Sequence, residues 1–325
     1  MKKLETNEAK QLLIKSKGGM GNRLLCTITG LLYSKLSNRV PCVDWSDGVY
    51  GDNGLNVFEK FFDYQDELIS LEQIDNSDLF PSIWKNHLEK SVSAIISELY
   101  PNKHSSKTIH QKLSITVTSK IHSSKTVVFW HYVDRINYLK PLLKNTIYSD
   151  KNKLEIIKFF LRNELTLKRS INKRIIDYKA NNWTKHMIGV HIRFTDRKSS
   201  LKKYINAINN QLKTNPNATV FLATDNSEVS VELSKLYKNI IETPKWMPAP
   251  GTPLHRSQSC PNKETSAVEA LVDMYLLADC DSLIYAGNST FTVVSRALSV
   301  AKDIVDIEKY NLIVKLKQLI TELIP

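Results

Sequence analysis

The stretch QLLIKSKGGMGNRLLCTITGLLYSKLSNRVPCVDW, residues 11–45, decides the fold class. QLLIKS is an apolar run of strand length, KGGMGN is a glycine-rich turn, RLLCTITGLLYSKLS repeats its apolar residues at helical spacing, and RVPCVDW returns to strand-forming residues. Strand, turn, helix and strand in that order form a βαβ unit. The rhythm recurs from residue 186 onward as strand MIGVHIR, loop FTDRKSS, helix LKKYINAINNQL, strand TVFLATD and helix SEVSVELSKLY. A Pro-, Gly- and Ser-rich loop (243–262) leads to a helix whose start is expected at the Ser266–Glu269 capping box, then to strand DSLIYA and helix STFTVVSRALS. Alternation of this kind implies parallel sheet flanked by helices. The expected fold class is therefore α/β, with two Rossmann-like domains over residues 1–180 and 181–325. Within the first, FEKFF, ELISLEQI and SVSAIISELY read as short helices in an insertion-rich region, TVVFWHYV (126–133) as a buried strand, and the Lys-rich 138–180 as amphipathic helices.

At 325 residues the chain can bury a sizeable core in two domains. Its 45 Lys+Arg against 33 Asp+Glu give a formal charge of +12, which favours anionic partners. The lysines are scattered along helices rather than clustered with aromatics, which argues against a nucleic-acid surface. Four cysteines (Cys26, Cys42, Cys260, Cys280) show neither C-x-x-C nor zinc-ligand spacing and read as reduced and structural. The amino-terminal stretch has no signal-peptide apolar core, and no run reaches the length of a membrane span. A cytoplasmic location is expected.

Four segments place polar groups at strand ends, where open α/β sheets bind ligands. In Lys17-Gly18-Gly19-Met20-Gly21-Asn22-Arg23, glycines let backbone amides approach a ligand beside a helix N-terminus that favours anions; the pattern matches neither the dinucleotide fingerprint nor the ATP-binding P-loop. In GVHIRFTDR, strand alternation puts His191 and Arg193 on one face, and an arginine fork suits phosphate oxygens. Ala223-Thr224-Asp225-Asn226 and the turn Gly287-Asn288-Ser289-Thr290 complete the set, and both also suit plain helix capping. Asp279-Cys280-Asp281 has the letters of a D-x-D metal motif but precedes a strand, so no metal site is expected there.

These elements, in this order, resemble the fucosyltransferase superfamily that includes the nodulation-type and core α1,6-fucosyltransferases, with the α1,2 enzymes as cousins. GGMGNR resembles the α1,2 opening, GVHIRFTDR the α1,6 signature G-V-H-[IV]-R-R-T-D-K, VFLATDNSEV its second block, and VDMYLLADCDSLIYAGNSTFTVVSRAL the third; VDWSDGVYG is similar to a nodulation-enzyme segment. The match spans about 17–50 and 186–300. The resemblance implies a GT-B-like fold with an interdomain donor cleft and an inverting, metal-independent transfer of fucose from GDP-fucose to a glycan hydroxyl. The nucleotide-binding domain would be the second, and the first would face the acceptor. Arg193, Ser289, Thr290, Asn288 and the Gly19–Arg23 turn would cradle the diphosphate. His191 and Asp281 would contact guanine, and Asp225 would be a donor-site acid. Asp273 matches the helical acid that precedes the third block, in a capping or bracing role. Asp196 is the expected base. Departures stand at Phe194, where the family has a second arginine, and at Arg197; the glutamate that the animal enzymes use with that basic residue is missing. No cofactor is implied beyond the donor substrate. The expected partners are nucleotide sugar and glycan acceptor, with peripheral association at the inner membrane. The alternatives are a transferase of another nucleotide sugar, and a non-catalytic GDP-sugar or polyanion binder.

Overall fold

The computed structural model describes residues 9–103, 106–118, 120–194, 200–249, 257, 259–287, 289–309 and 316. The chain groups into two compact units, Met1–Gly18 with Asn22–Thr166 and Glu322–Pro325, and Gly19–Gly21 with Leu167–Thr321. Each unit is built on a parallel sheet.

In the first unit the strand order is β2 (Arg39–Asp44), β1 (Lys10–Lys15), β5 (Thr126–Phe129) and β4 (Leu79–Phe80), every pair parallel. The helix Met20–Ser37 links β1 to β2, as the opening βαβ pattern requires. It is buried along almost its whole length and lies so close to β1 that a side chain on Gly30 would meet Ile14 at 2.6 Å. Leu12–Ile14, Leu24, Ile28 and Leu31 form the floor of this core. The insertion is less helical than its pattern suggests. FEKF keeps one turn of helix, ELISLEQI only the 3-10 turn Leu71–Gln73, and SVSAIISELY a true helix, Val92–Leu99, capped by the Ser91 hydroxyl. Strands β3 (Phe62–Tyr64) and β6 (Leu165–Leu167) form a separate pair. TVVFWHYV is strand only to Phe129, after which Trp130 and His131 stay buried while the chain turns away.

The second unit has the order β11 (Asp303–Asp306), β10 (Ser282–Tyr285), β7 (Met187–Ile192), β8 (Thr219–Thr224) and β9 (Ile240–Ile241), again all parallel. Its core packs Ile188, Val190 and Ile192 of β7 and Val220 and Leu222 of β8 against Tyr204 and Ile208 of the helix Leu201–Thr214. The contacts divide the chain after Thr166, where the sequence pattern placed the division at 180. The reason lies in the helix Arg169–Asn182: Lys179 bridges Asp279 at 2.7 Å, and the Tyr178 ring and the adjoining Trp183 ring lie against Phe221 of β8. A second boundary also moves. The helix expected to start at Ser266 begins at Lys263, because Asn262 accepts the Thr265 amide at 2.8 Å and caps it one turn earlier. Among the described residues no helix is long and apolar enough to cross a membrane.

Candidate active site

All five strands of the second sheet run the same way, so their carboxyl ends share one edge. His191 is the penultimate residue of β7. Its buried ring stacks on Phe291 with centroids 4.8 Å apart and planes 11° from parallel, and Nδ1 lies 2.9 Å from the Thr292 hydroxyl. Phe291 and Thr292 belong to the first turn of the helix Thr290–Leu298, so the end of β7 and this helix N-terminus are held together. Burial first, then the charges of Arg193 and Lys245, push the His191 imidazole down to about 3 from an ordinary 6.5, which leaves it neutral at physiological pH.

That depression carries a stability prediction. The unfolded chain takes up a proton near pH 6.5 that the folded one refuses until about pH 3. The contribution is therefore complete above pH 6.5 and is lost as pH falls through that window, by up to about 1.4 kcal/mol per pH unit. Urea midpoints should fall on acidification from pH 6.5 to about pH 5, and His191→Gln should flatten that slope. A slope unchanged in the variant would mean that His191 takes up its proton in the folded state.

Arg193 and Phe194 follow β7 directly, both half-buried. Asp225, just past β8, accepts the Phe194 amide at 2.9 Å and so ties the segment carrying Arg193 to the neighbouring strand end. Asn226 next to it is a helix cap, accepting from the Val229 amide at 3.0 Å. Phe194 packs on the apolar core of this unit, which gives a physical reason for the departure from a second arginine. Beyond β10, the Gly287 amide donates to Asp306 at 2.9 Å and fixes the turn ahead of the helix Thr290–Leu298. Ser289 occupies the cap position but makes no capping bond; its hydroxyl is buried and has no partner among the described residues. Thr290 follows, half-buried. Gly19–Gly21 group with this unit, and a side chain on Gly21 would sit 2.4 Å from the Phe291 nitrogen and 2.5 Å from the Thr290 carbonyl carbon. A glycine is needed there because backbone lies against backbone.

Four expected site residues lie elsewhere or serve another purpose. Asp281 precedes β10 and accepts the amide of Met187, the first residue of β7, at 2.8 Å. It therefore sits at the amino edge of the sheet, a strand length from His191, and does not share a ligand with it. Arg23 is fully buried in the first unit: Nη2 pairs with Asp47 at 2.6 Å, Nε donates to the Gly18 carbonyl at 2.9 Å, and Trp45 and Tyr50 flank the guanidinium. It braces the left-handed Gly18 (φ +88°) instead of reaching a diphosphate. Asn22 donates to the Tyr132 carbonyl at 2.6 Å, and Met20 is buried. Asp196 and Asn288 lie outside the described residues.

One feature has no local signal in the sequence. Asp273, on the helix Lys263–Ala278, accepts from the Thr243 hydroxyl and from Lys245, each at 2.5 Å, and the side chains of Asp273 and Lys245 are almost wholly buried. Lys245 is also one of the two charges that depress His191. Asp273 thus holds the lysine whose charge acts on His191. Its partners lie 28 and 30 residues away, at the start of the Pro-, Gly- and Ser-rich loop. Among the described residues no group of three His, Cys, Asp or Glu side chains is placed to hold a metal ion.

Residues 161–314 match the family model described as nodulation protein Z (NodZ). The match covers just under half of the chain and lies almost wholly in the second unit. Among solved structures the chain is similar to NodZ α-1,6-fucosyltransferase soaked with GDP-fucose (20% identity, 90% of this chain and 93% of that one, TM-score 0.60) and to NodZ from Bradyrhizobium (19%, 90% and 93%, 0.59). It is also similar to Arabidopsis thaliana FUT1 in a complex with GDP (15%, 91% and 70%, 0.59). At these identities the likeness establishes the fold, the two-sheet α/β arrangement. No curated protein sequence matches the chain.

Proposed function

We propose that the chain is a fucosyltransferase that takes fucose from GDP-fucose and passes it to a hydroxyl of a glycan acceptor, with inversion and without a metal. The observation that carries the reading is the buried, unpartnered Ser289 hydroxyl at the N-terminus of the nine-residue helix Thr290–Leu298, beside the end of β7. A buried hydroxyl without a partner costs about 1–3 kcal/mol, and the positive end of a helix favours a phosphate as the group that supplies the missing bond. Ser289 and Thr290 would hold the diphosphate, Arg193 would neutralise the charge that develops on it as the glycosyl bond breaks, and Gly21 would let the backbone approach. The neutral His191 and the nearby Asp273, in place of Asp281, would face the guanine. Asp225 would act through the backbone, by fixing the segment that carries Arg193. Asp196 keeps its expected role as base. The complexes with GDP-fucose and GDP formed by the NodZ and FUT1 structures support this donor. A surface polysaccharide or similar glycan is the proposed acceptor, with the first unit on the acceptor side and the enzyme in the cytoplasm, peripheral to the inner membrane.

Calorimetric titration with GDP, UDP and ADP in EDTA tests the donor site. GDP should bind selectively, and Arg193→Ala should weaken it by roughly 30-fold or more, the worth of a charge-assisted bidentate contact. Preference for UDP, or binding only when a divalent metal is restored, would overturn the reading.

A further inference from the structure

The first unit contains a buried polar cluster that donor binding does not use. Past the end of β5, Trp130 and His131 stay buried at the carboxyl edge of the first sheet. The imidazole of His110, from the helix Lys107–Leu113, stacks between the Trp130 ring at 4.2 Å and the His131 ring at 4.5 Å. Arg135, 4% exposed, donates through Nε to His131 Nε2 at 3.0 Å. His110, His131, Arg135 and Phe129 line a cavity of about 10 Å³, room for one water-sized centre. Thr116, which is exposed, and Tyr138, which is half-exposed, form its rim, so the cavity can be reached from solvent.

Two further observations bear on what fills it. His110 is 8% exposed, and its Nδ1 is buried with no partner among the described residues. An orphaned ring nitrogen in a native interior calls for a bound group. The charges of Arg135 and Lys17 also make the field at this ring positive, and after burial, the larger cause, they help to push His110 down to about 4. An imidazole N–H and a guanidinium together favour an acceptor that carries negative charge.

We propose that this cavity is an oxyanion site, taking one oxygen of a phosphate or carboxylate group between His110 and Arg135, with the remainder of that group at the Thr116–Tyr138 rim. The site goes beyond the donor reading and stands without it, because every residue belongs to the first unit. On a glycosyltransferase such a group would be part of the acceptor.

Imidazole NMR of the ¹⁵N-labelled full chain at neutral pH, with no nucleotide present, tests it. The probes are inorganic phosphate, glucuronate and glucose. The His110 and His131 signals should shift saturably with phosphate, glucuronate or both, and the tighter of the two identifies the class. Glucose should shift neither, and the exposed His186 should stay still throughout. Bound anion should raise the His110 pKa by about one unit or more, because it offsets the two cations. Thr116→Asp puts a carboxylate on an exposed rim position where folding is not at stake, and should weaken the anion about tenfold or more by repulsion. Shifts that do not saturate, or that His186 shares, would reduce the effect to ionic strength and overturn the site. Equal shifts with glucose would overturn the assignment of charge, and an unchanged affinity in Thr116→Asp would place the anion elsewhere.

Discussion

Gly21→Ala is expected to abolish measurable GDP binding while leaving the first sheet folded. The added carbon would lie 2.4 Å from the Phe291 nitrogen, 2.5 Å from the Thr290 carbonyl carbon and 2.7 Å from the Phe291 Cα. All three are backbone atoms, so no side chain can rotate away. Relief requires the first turn of the helix Thr290–Leu298 to move by about 1 Å, a displacement that can cost about a hundredfold where geometry governs binding or transfer. Ser289 and His191 would move with it, since His191 is stacked on Phe291. The overpacking itself should cost about 1–3 kcal/mol. Thermal unfolding with and without GDP separates the two effects: the unliganded midpoint should fall by a few degrees, and the upward shift produced by GDP should vanish. A variant that kept the full GDP shift would remove the glycine turn from the donor site.

Asp273→Ala should be the most destabilising single change in the second unit. Without the carboxylate, the Lys245 ammonium stays buried with its partner removed, and Thr243 loses the acceptor of its hydroxyl. Breaking a buried pair from one side costs about 3–5 kcal/mol, because the remaining charge must be desolvated with nothing to offset it. Removing both charges is milder. The double variant Asp273→Leu with Lys245→Met should recover most of the loss in urea unfolding, and it allows the local role to be tested on a folded protein. With stability restored, GDP affinity should still be reduced, since Asp273 would no longer stand at the base side of the site. A single variant that cost less than about 1 kcal/mol would show that the pair is exposed to water in solution.

Much of the site was legible because its signals are local. GGMGN between a strand and a helix, HIR at the end of β7 and the Ser-Thr opening of the helix Thr290–Leu298 each depend on residues a few positions apart, within the reach of strand alternation and helix capping. Phe194 was visible as a departure, but its packing on the core of the second unit was not. Asp281 shows where pattern reading fails. An acid beside a strand looks much the same whichever end it occupies, yet in a parallel sheet the two ends are separate edges, and only the carboxyl edge gathers His191, Arg193 and Asp225. Arg23 fails for a related reason: its partner Asp47 is 24 residues away and folds back over it.

By itself the sequence determined the α/β alternation, the parallel sheets it requires, and the glycines and polar residues that stand at strand ends. These follow from side-chain periodicity and backbone freedom, which act over a single turn or strand. Tertiary structure decided which of those ends share an edge, that Asp273 and Lys245 pair across 28 residues, that the helix Arg169–Asn182 groups with the second sheet, and that Ser289 keeps a buried hydroxyl open. Each of these depends on desolvating one group against another far away along the chain, and no local pattern records which partner the fold will bring.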